Sequence, residues 1–218
     1  MLIVNDIFES IQGESTDTGK PCVFIRLFGC NVRCTYCDTL QTKSMKMSVE
    51  EIVSTIKHKH RRIHYVCITG GEPLIQPEVY SLIYALTGMN YKVSIETNGC
   101  MTIDSDPYNR TYKYIMDVKC PSSGVSDKNI LSNLRNLHMI DEVKFVIANR
   151  KDYEYALECL RKYPTKAKIL FSPMFSKNNK ALIGEELVNW ILKDFDYDTN
   201  VRVQIQTHKV IGDRKSVV

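Results

Sequence analysis

No stretch of this chain is long and apolar enough to cross a bilayer, a task that takes about 20 consecutive apolar residues. The opening MLIVNDIFES lacks a charged leader and carries only a short apolar run, so it reads as neither a signal peptide nor an anchor. A cytoplasmic protein is expected. A strong charge of one sign is also missing: the formal net charge is +4 over 218 residues, too mild and too scattered for a nucleic-acid stripe. The one basic run, KHKHRR at 57–62, closes a helical pattern and reads first as a solvated helix C-terminus, with a patch for an anionic substrate as the alternative. Linkers, repeats and low-complexity segments are absent. With 44% hydrophobic and 25% charged residues, the composition is that of an ordinary globular protein, and residues 1–218 are expected to form one domain.

Thiols, by contrast, are plentiful. Eight cysteines in a reducing compartment point away from disulfides and toward metal chemistry. Cys67 and Cys159 lie inside apolar patterns and Cys22 opens a strand, all three as small packing residues. Cys100 and Cys120 follow strand ends, where loops meet a site. Cys30, Cys34 and Cys37 differ, standing within eight residues in FGCNVRCTYCD as C-x3-C-x2-C. Structural zinc closes its shell with four ligands, and disulfides need pairs. The nearest histidine, His58, belongs to the exposed helix end. Three soft thiolates therefore suit an iron–sulfur cluster that keeps one position open.

Seven short apolar, β-branched runs, at 22–28, 63–69, 91–97, 112–118, 142–148, 167–172 and 201–206, have the length of strands buried on both faces. Helical patterns lie between several of them. SVEEIVSTIKHKH opens with Ser48 and has Glu51 three residues on, a capping box. PEVYSLIYALTGM, NRKDYEYALECLRKY and GEELVNWILKDF also space apolar residues helically. The expected fold is α/β, with about six to seven strands in a mostly parallel sheet, built as an open doubly wound sheet or a partial (β/α) barrel. Ligands then gather at the carboxyl ends of the strands. TGGEP, ETNG, DVKCPSSG, FSPMF and QTHK all fall there, on the rim that carries the cysteine loop at 29–40.

The triplet, with Tyr36 before its last cysteine, resembles the radical S-adenosylmethionine (SAM) enzymes, and GGEP at 70–73 matches a second motif of that superfamily. The resemblance implies a partial barrel and a [4Fe–4S] cluster held by Cys30, Cys34 and Cys37. In that superfamily the free iron binds SAM, which is cleaved to a 5′-deoxyadenosyl radical. Further, DIFESIQGES followed by CVFIRLFGCNVRCTYCDT is similar to the 7-carboxy-7-deazaguanine synthases. These contract 6-carboxy-5,6,7,8-tetrahydropterin to a 7-deazaguanine with loss of ammonia, a step toward queuosine, archaeosine or preQ0.

That resemblance assigns Ile11, Gln12, Gly13, Glu14, Arg26 and Thr69 to the pterin, with Arg26 on its carboxylate. Thr39 falls at the Mg²⁺ position. Tyr36, Cys37, Asp38, Gly71, Glu72, Glu96, Asp117, Lys119, Ser172, Pro173 and Met174 fall to SAM, and Asn98 near the SAM ribose or the substrate. No protein acid or base is assigned. Where the family commonly has Ser-Pro-Lys, this chain reads Asp117-Val118-Lys119. Packing is an equal alternative for Met174 and Phe175, and a satisfied strand-end histidine for His208. In that family the C-terminal carboxylate can reach the substrate, but the ending HKVIGDRKSVV departs from the usual tail and leaves Val218 unassigned. The resemblance implies a homodimer and a flavodoxin-like or other reductant, with no direct nucleic-acid partner. Two rivals remain: a glycyl-radical-enzyme activase, which leaves IQGE and Arg26 unexplained, and a non-catalytic zinc module.

Overall fold

The computed structural model describes residues 1–39, 41–103, 110–175, 181, 183–196 and 200–212. Among these, nine strands form one sheet: β1 (Leu2–Ile11), β2 (Pro21–Leu27), β3 (Met45–Met47), β4 (Tyr65–Gly70), β5 (Lys92–Thr97), β6 (Tyr112–Val118), β7 (Glu142–Ile147), β8 (Lys168–Pro173) and β9 (Val201–Val203). Their spatial order is β3-β1-β2-β4-β5-β6-β7-β8-β9. From β2 through β9 every neighbouring pair is parallel. β1 pairs antiparallel with β2 and with β3, which extends the sheet beyond the strands expected from the apolar runs. β3, only three residues with two exposed, leaves almost no apolar signature.

The helices are α1 (Val49–Lys59), α2 (Val79–Gly88), α3 (Asn133–Asn136), α4 (Arg150–Lys162), α5 (Gly184–Asp194) and α6 (Thr207–Ile211). α1 starts where its capping box requires: Glu51 N donates to Ser48 Oγ at 3.2 Å, and Ser48 N donates to the Glu51 carboxylate at 2.7 Å. Glu50 and Glu51 stand at the positive end of its dipole and Lys57 to Lys59 at the negative end, so the basic run is a helix terminus. No helix among the described residues is long and apolar enough to cross a membrane.

Alternation along the strands decides which residues meet the helices. Val23, Ile25 and Leu27 on β2, Val66 and Ile68 on β4, and Val143, Phe145 and Ile147 on β7 join one apolar cluster with Ile52, Ile56, Leu82, Leu86 and Tyr153 from the helices. Each fully buried aliphatic side chain there contributes about 1.5–3 kcal/mol. The residues between them, Phe24 and Arg26, Thr69, Lys144 and Val146, line the cavity on the opposite, concave side of the sheet.

That concave side is crossed by the β1–β2 turn. Ser15 N donates to Gln204 Oε1 at 2.9 Å and Thr207 N to Gly13 O at 2.9 Å, which ties the turn to the segment after β9. Thr16 N donates to the fully buried Glu142 carboxylate on β7 at 3.1 Å. β9 ends at Val203. A strand is expected through 206, but Gln204 and Gln206 turn their amides to the β1–β2 loop instead.

Candidate active site

The carboxyl ends of the parallel strands surround a cavity of about 240 Å³. The cysteine loop forms one wall. Its root is set by two glycines: a Cβ at Gly70, whose φ is +129°, would lie 2.1 Å from Leu27 O, and one at Gly71 would lie 1.8 Å from Gly29 O. Gly71 N and Glu72 N donate to Leu27 O and Gly29 O at 3.1 and 2.9 Å, so the GGEP turn and the start of the cysteine loop are fastened together. Farther along, Thr35 donates to Ser122 O and Ser123 O at 2.7 and 2.9 Å, which holds the loop to the CPSSG turn.

Cys30, Cys34 and Cys37 all line this cavity. Cys30 and Cys37 are exposed and Cys34 is half-buried, whereas Cys22, Cys67, Cys120 and Cys159 are buried. Burial pushes the thiol of Cys67 far up and that of the half-buried Cys100 up to about 11, and it raises Cys34 as well. Asn98 Nδ2 donates to Cys30 Sγ at 3.7 Å. Among the described residues no three His, Cys, Asp or Glu side chains are gathered closely enough for a single metal ion. The set instead offers three separated soft donors on one rooted loop, which fits a cluster held at three corners.

A polar ligand fits beside the thiols. Tyr36 Oη, Asp117 Oδ1 and Ser172 Oγ are buried without a hydrogen-bond partner, and Tyr36 and Asp117 line the cavity. Groups left in that state cost about 1–3 kcal/mol each unless a bound molecule satisfies them. Glu96, in ETNG, accepts from Thr69 Oγ1 at 2.8 Å and from Gln12 Nε2 at 3.3 Å, drawing together the ends of β1, β4 and β5.

Arg26 is 5% exposed, with its guanidinium 5.0 Å from the centre of the Phe8 ring. Burial lowers its pKa, and Asp6, Glu96 and Asp38 oppose that shift. Across the floor runs a chain of charges. Lys119 meets Asp117 Oδ2 at 3.0 Å, Lys144 meets the same oxygen at 3.3 Å, and Lys144 also pairs with Glu14, whose other oxygen accepts from Gln206. Burial alone would raise the Glu14 carboxyl, yet Lys144 and Gln206 bring it down to about 2. His208 packs on Gly13, where a Cβ would meet its ring at 2.1 Å, and burial lowers its pKa, which favours neutral imidazole. At the mouth Lys209 reaches Asp38 at 2.9 Å.

Of the residues singled out from sequence, Gln12, Gly13, Glu14, Arg26, Tyr36, Asp38, Thr39, Thr69, Gly71, Glu96, Asn98, Asp117, Lys119, Met174, Phe175 and His208 line the cavity with the three cysteines. Four do not. Ile11 is the half-buried last residue of β1. The Glu72 side chain is fully buried and accepts from Leu74 N, Thr97 Oγ1 and Asn98 N at 3.0, 2.8 and 2.6 Å, so it braces β4 against β5. Ser172 and Pro173 are buried at the end of β8. Val218 lies outside the described residues. Sequence reasoning put Gln206 and Lys209 on the rim only as part of QTHK, without a role, and missed Lys144 and Gln41, whose Oε1 accepts from Gly29 N at 2.7 Å. Lysine in the middle of the apolar run EVKFVIA is the signal that could have found Lys144.

The Radical SAM superfamily profile matches residues 24–172. A 7-carboxy-7-deazaguanine synthase of Methanospirillum hungatei is 41% identical over 213 residues, covering 96% of this chain and 85% of the relative. One from Koribacter versatilis is 39% identical, covering 95% of this chain and 96% of the relative. In fold, the chain is similar to the crystal structure of QueE from Escherichia coli, with a TM-score of 0.76, 24% identity, and coverage of 95% and 94% of the two chains.

Proposed function

The chain belongs to the radical SAM superfamily and, within it, to the 7-carboxy-7-deazaguanine synthases, and from that premise we propose how its cavity converts 6-carboxy-5,6,7,8-tetrahydropterin to 7-carboxy-7-deazaguanine. Membership brings with it a [4Fe–4S] cluster and SAM. When bound, they supply the radical that takes a hydrogen atom from the substrate. Residues 1–218 act as one catalytic domain. Cys30, Cys34 and Cys37 hold the cluster, and Asn98 donates to the first of these sulfurs. Gly71, Tyr36, Asp38, Glu96, Asp117, Lys119 and Met174 surround SAM, with the orphaned Tyr36 hydroxyl and Asp117 oxygen as natural partners for its polar groups.

The pterin lies against Gln12, Gly13, Glu14 and Thr69. Glu14 is held as a carboxylate, the right acceptor for the N–H edge of a pterin ring. Arg26 forks onto the substrate carboxylate from a dry position, where charge-assisted pairing is strongest. Thr39 at the cavity mouth offers Mg²⁺ one hard oxygen, with substrate oxygens and water completing the shell. The chain's own contribution is orientation and exclusion of water around a reactive carbon. A flavodoxin-like or other reductant supplies electrons at the exposed Cys30–Cys37 face, and the protein works as a cytoplasmic homodimer.

One observation carries this reading. The thiol triplet, the Gln12–Glu14 turn and Arg26 open onto a single cavity together with Thr69, Asp117 and Lys144 from strands farther along the chain. Anaerobic reconstitution with iron and sulfide, then incubation with the carboxypterin, SAM and reductant, should yield the deazaguanine and ammonia. A protein that binds zinc, stays colourless and leaves SAM intact would overturn it.

A further inference from the structure

Lys144 sits midway along β7, among Val143, Phe145 and Val146, and is 8% exposed. Taking a lysine out of water costs several kcal/mol unless partners hold the charge. Here two carboxylates do. One is Asp117, directly across from it in the β6–β7 register, at 3.3 Å. The other is Glu14, which lies 130 residues away in sequence and arrives on the β1–β2 turn. Asp117 keeps a second cation, Lys119, at 3.0 Å. Among the described contacts Glu14 has one close cation, Lys144, together with the neutral amide of Gln206.

We infer that Lys144 is a positioning residue for the substrate: its ammonium fixes Glu14 as an oriented carboxylate at the floor of the cavity, so that Glu14 can accept hydrogen bonds from the N–H edge of the pterin. This rests on the reading that Glu14 contacts the substrate. Each Glu14 oxygen has one protein donor, Lys144 on Oε2 and Gln206 on Oε1, which leaves each a further lone pair for a ligand. The charged and titratable groups facing Glu14 are Lys144 on β7, His208 on α6 and Asp117 on β6, and those facing Lys144 are Asp117, Lys119 just after β6, Glu96 on β5, Tyr36 in the cysteine loop and Glu14 itself. Burial works against ionised Glu14, and Lys144 is the largest influence that opposes it. Without Lys144 the buried carboxyl moves toward its protonated form, in which it donates where the pterin needs an acceptor.

The test compares wild type, Glu14→Gln, Lys144→Met, Lys144→Arg and the Glu14→Gln/Lys144→Met double variant, all reconstituted. KM and kcat are measured for the carboxypterin, and its Kd by calorimetry without SAM. Loss of Lys144 should raise KM and Kd on the order of tenfold or more while kcat and the KM for SAM change by less than about threefold. The double variant should be no weaker than either single, because both remove one interaction. Lys144→Arg should recover most of the affinity. Between about pH 6 and 8 wild-type KM should be flat, whereas in Lys144→Met it should fall as pH rises and Glu14 ionises, with no such slope in the double variant.

Additive losses, a flat profile in Lys144→Met, or Lys144→Arg no better than Lys144→Met would overturn the inference. If Lys144→Met does not fold, Lys144→Gln, which keeps a hydrogen bond but no charge, carries the same comparison. An unchanged KM in Glu14→Gln would instead overturn the placement of the substrate, on which the inference depends.

Discussion

Along β6, Tyr112, Tyr114, Met116 and Val118 turn toward the helices and join the apolar core, while Lys113, Ile115 and Asp117 turn to the concave side. The same division holds on β7, with Val143, Phe145 and Ile147 facing the helices and Glu142, Lys144 and Val146 facing inward. Both faces are buried, yet one is closed by apolar packing and the other carries charge pairs around a cavity. The helix side is filled by the chain's own apolar side chains, with the Tyr114 and Tyr153 hydroxyls buried there without a hydrogen-bond partner. On the concave side the unpartnered Tyr36 Oη and Asp117 Oδ1 belong to residues that line a cavity, where a bound molecule has room to satisfy them. Stability and chemistry are thus assigned to alternate residues of the same strands.

The largest contrast between the faces is in their thiols. Replacing Cys34 by alanine should abolish cluster assembly, seen as loss of bound iron, sulfide and broad visible absorption, and with it all turnover. Replacing Cys159, buried on the helix side of the sheet, should leave the cluster and activity in place. A Cys34→Ala variant that still cleaves SAM would break the contrast outright.

A buried charge on one face and a buried aliphatic side chain on the other give the next contrast. Arg26→Ala should cost binding of the carboxypterin about 2–5 kcal/mol, because the substrate carboxylate loses its buried partner. Reductive SAM cleavage without substrate should survive, since the cysteine loop and the Gly70–Gly71 turn are untouched. Leu82→Ala, in the fully buried core beneath α2, should cost about 2–5 kcal/mol of folding stability, read by denaturant titration, with KM unchanged in the folded fraction. Full activity of Arg26→Ala on the carboxypterin would remove the substrate assignment.

The division between the faces is partly legible in the amino-acid sequence alone. EVKFVIA and YKYIMDV keep their charged residues, Glu142 and Lys144, Lys113 and Asp117, an even number of positions apart within apolar runs, a period-two signal that their overall hydrophobicity conceals. The cysteine loop, the GGEP turn and the capping box are local motifs, set by residues within a few positions of one another, and the sequence displays them directly. What it does not display are partnerships across the fold. Glu14 meets Lys144, Gln206 lies a further strand away, and Gln41 reaches back to Gly29. Glu72 shows the converse. Its motif points to the ligand, but Thr97 Oγ1 on β5 and Asn98 N in the following turn, with Leu74 N two residues on, draw its side chain into the core, leaving Gly71 at the cavity wall.

The smallest expected effect lies on the helix side, at the start of α1. Ser48 and Glu51 exchange two hydrogen bonds, 3.2 and 2.7 Å long, between side chains and backbone. Ser48→Ala removes the acceptor for Glu51 N and should cost about 1 kcal/mol of stability, a drop in Tm of about 2–4 °C for a domain of this length. α1 packs through Ile52 and Ile56 into the apolar cluster and contributes no residue to the cavity. KM for the pterin, KM for SAM and the cluster spectrum should therefore stay at wild-type values while the melting curve shifts. A change in KM without a change in Tm would mean that the helix layer tunes the site directly, and the assignment of stability to one face and chemistry to the other would fail at its weakest point.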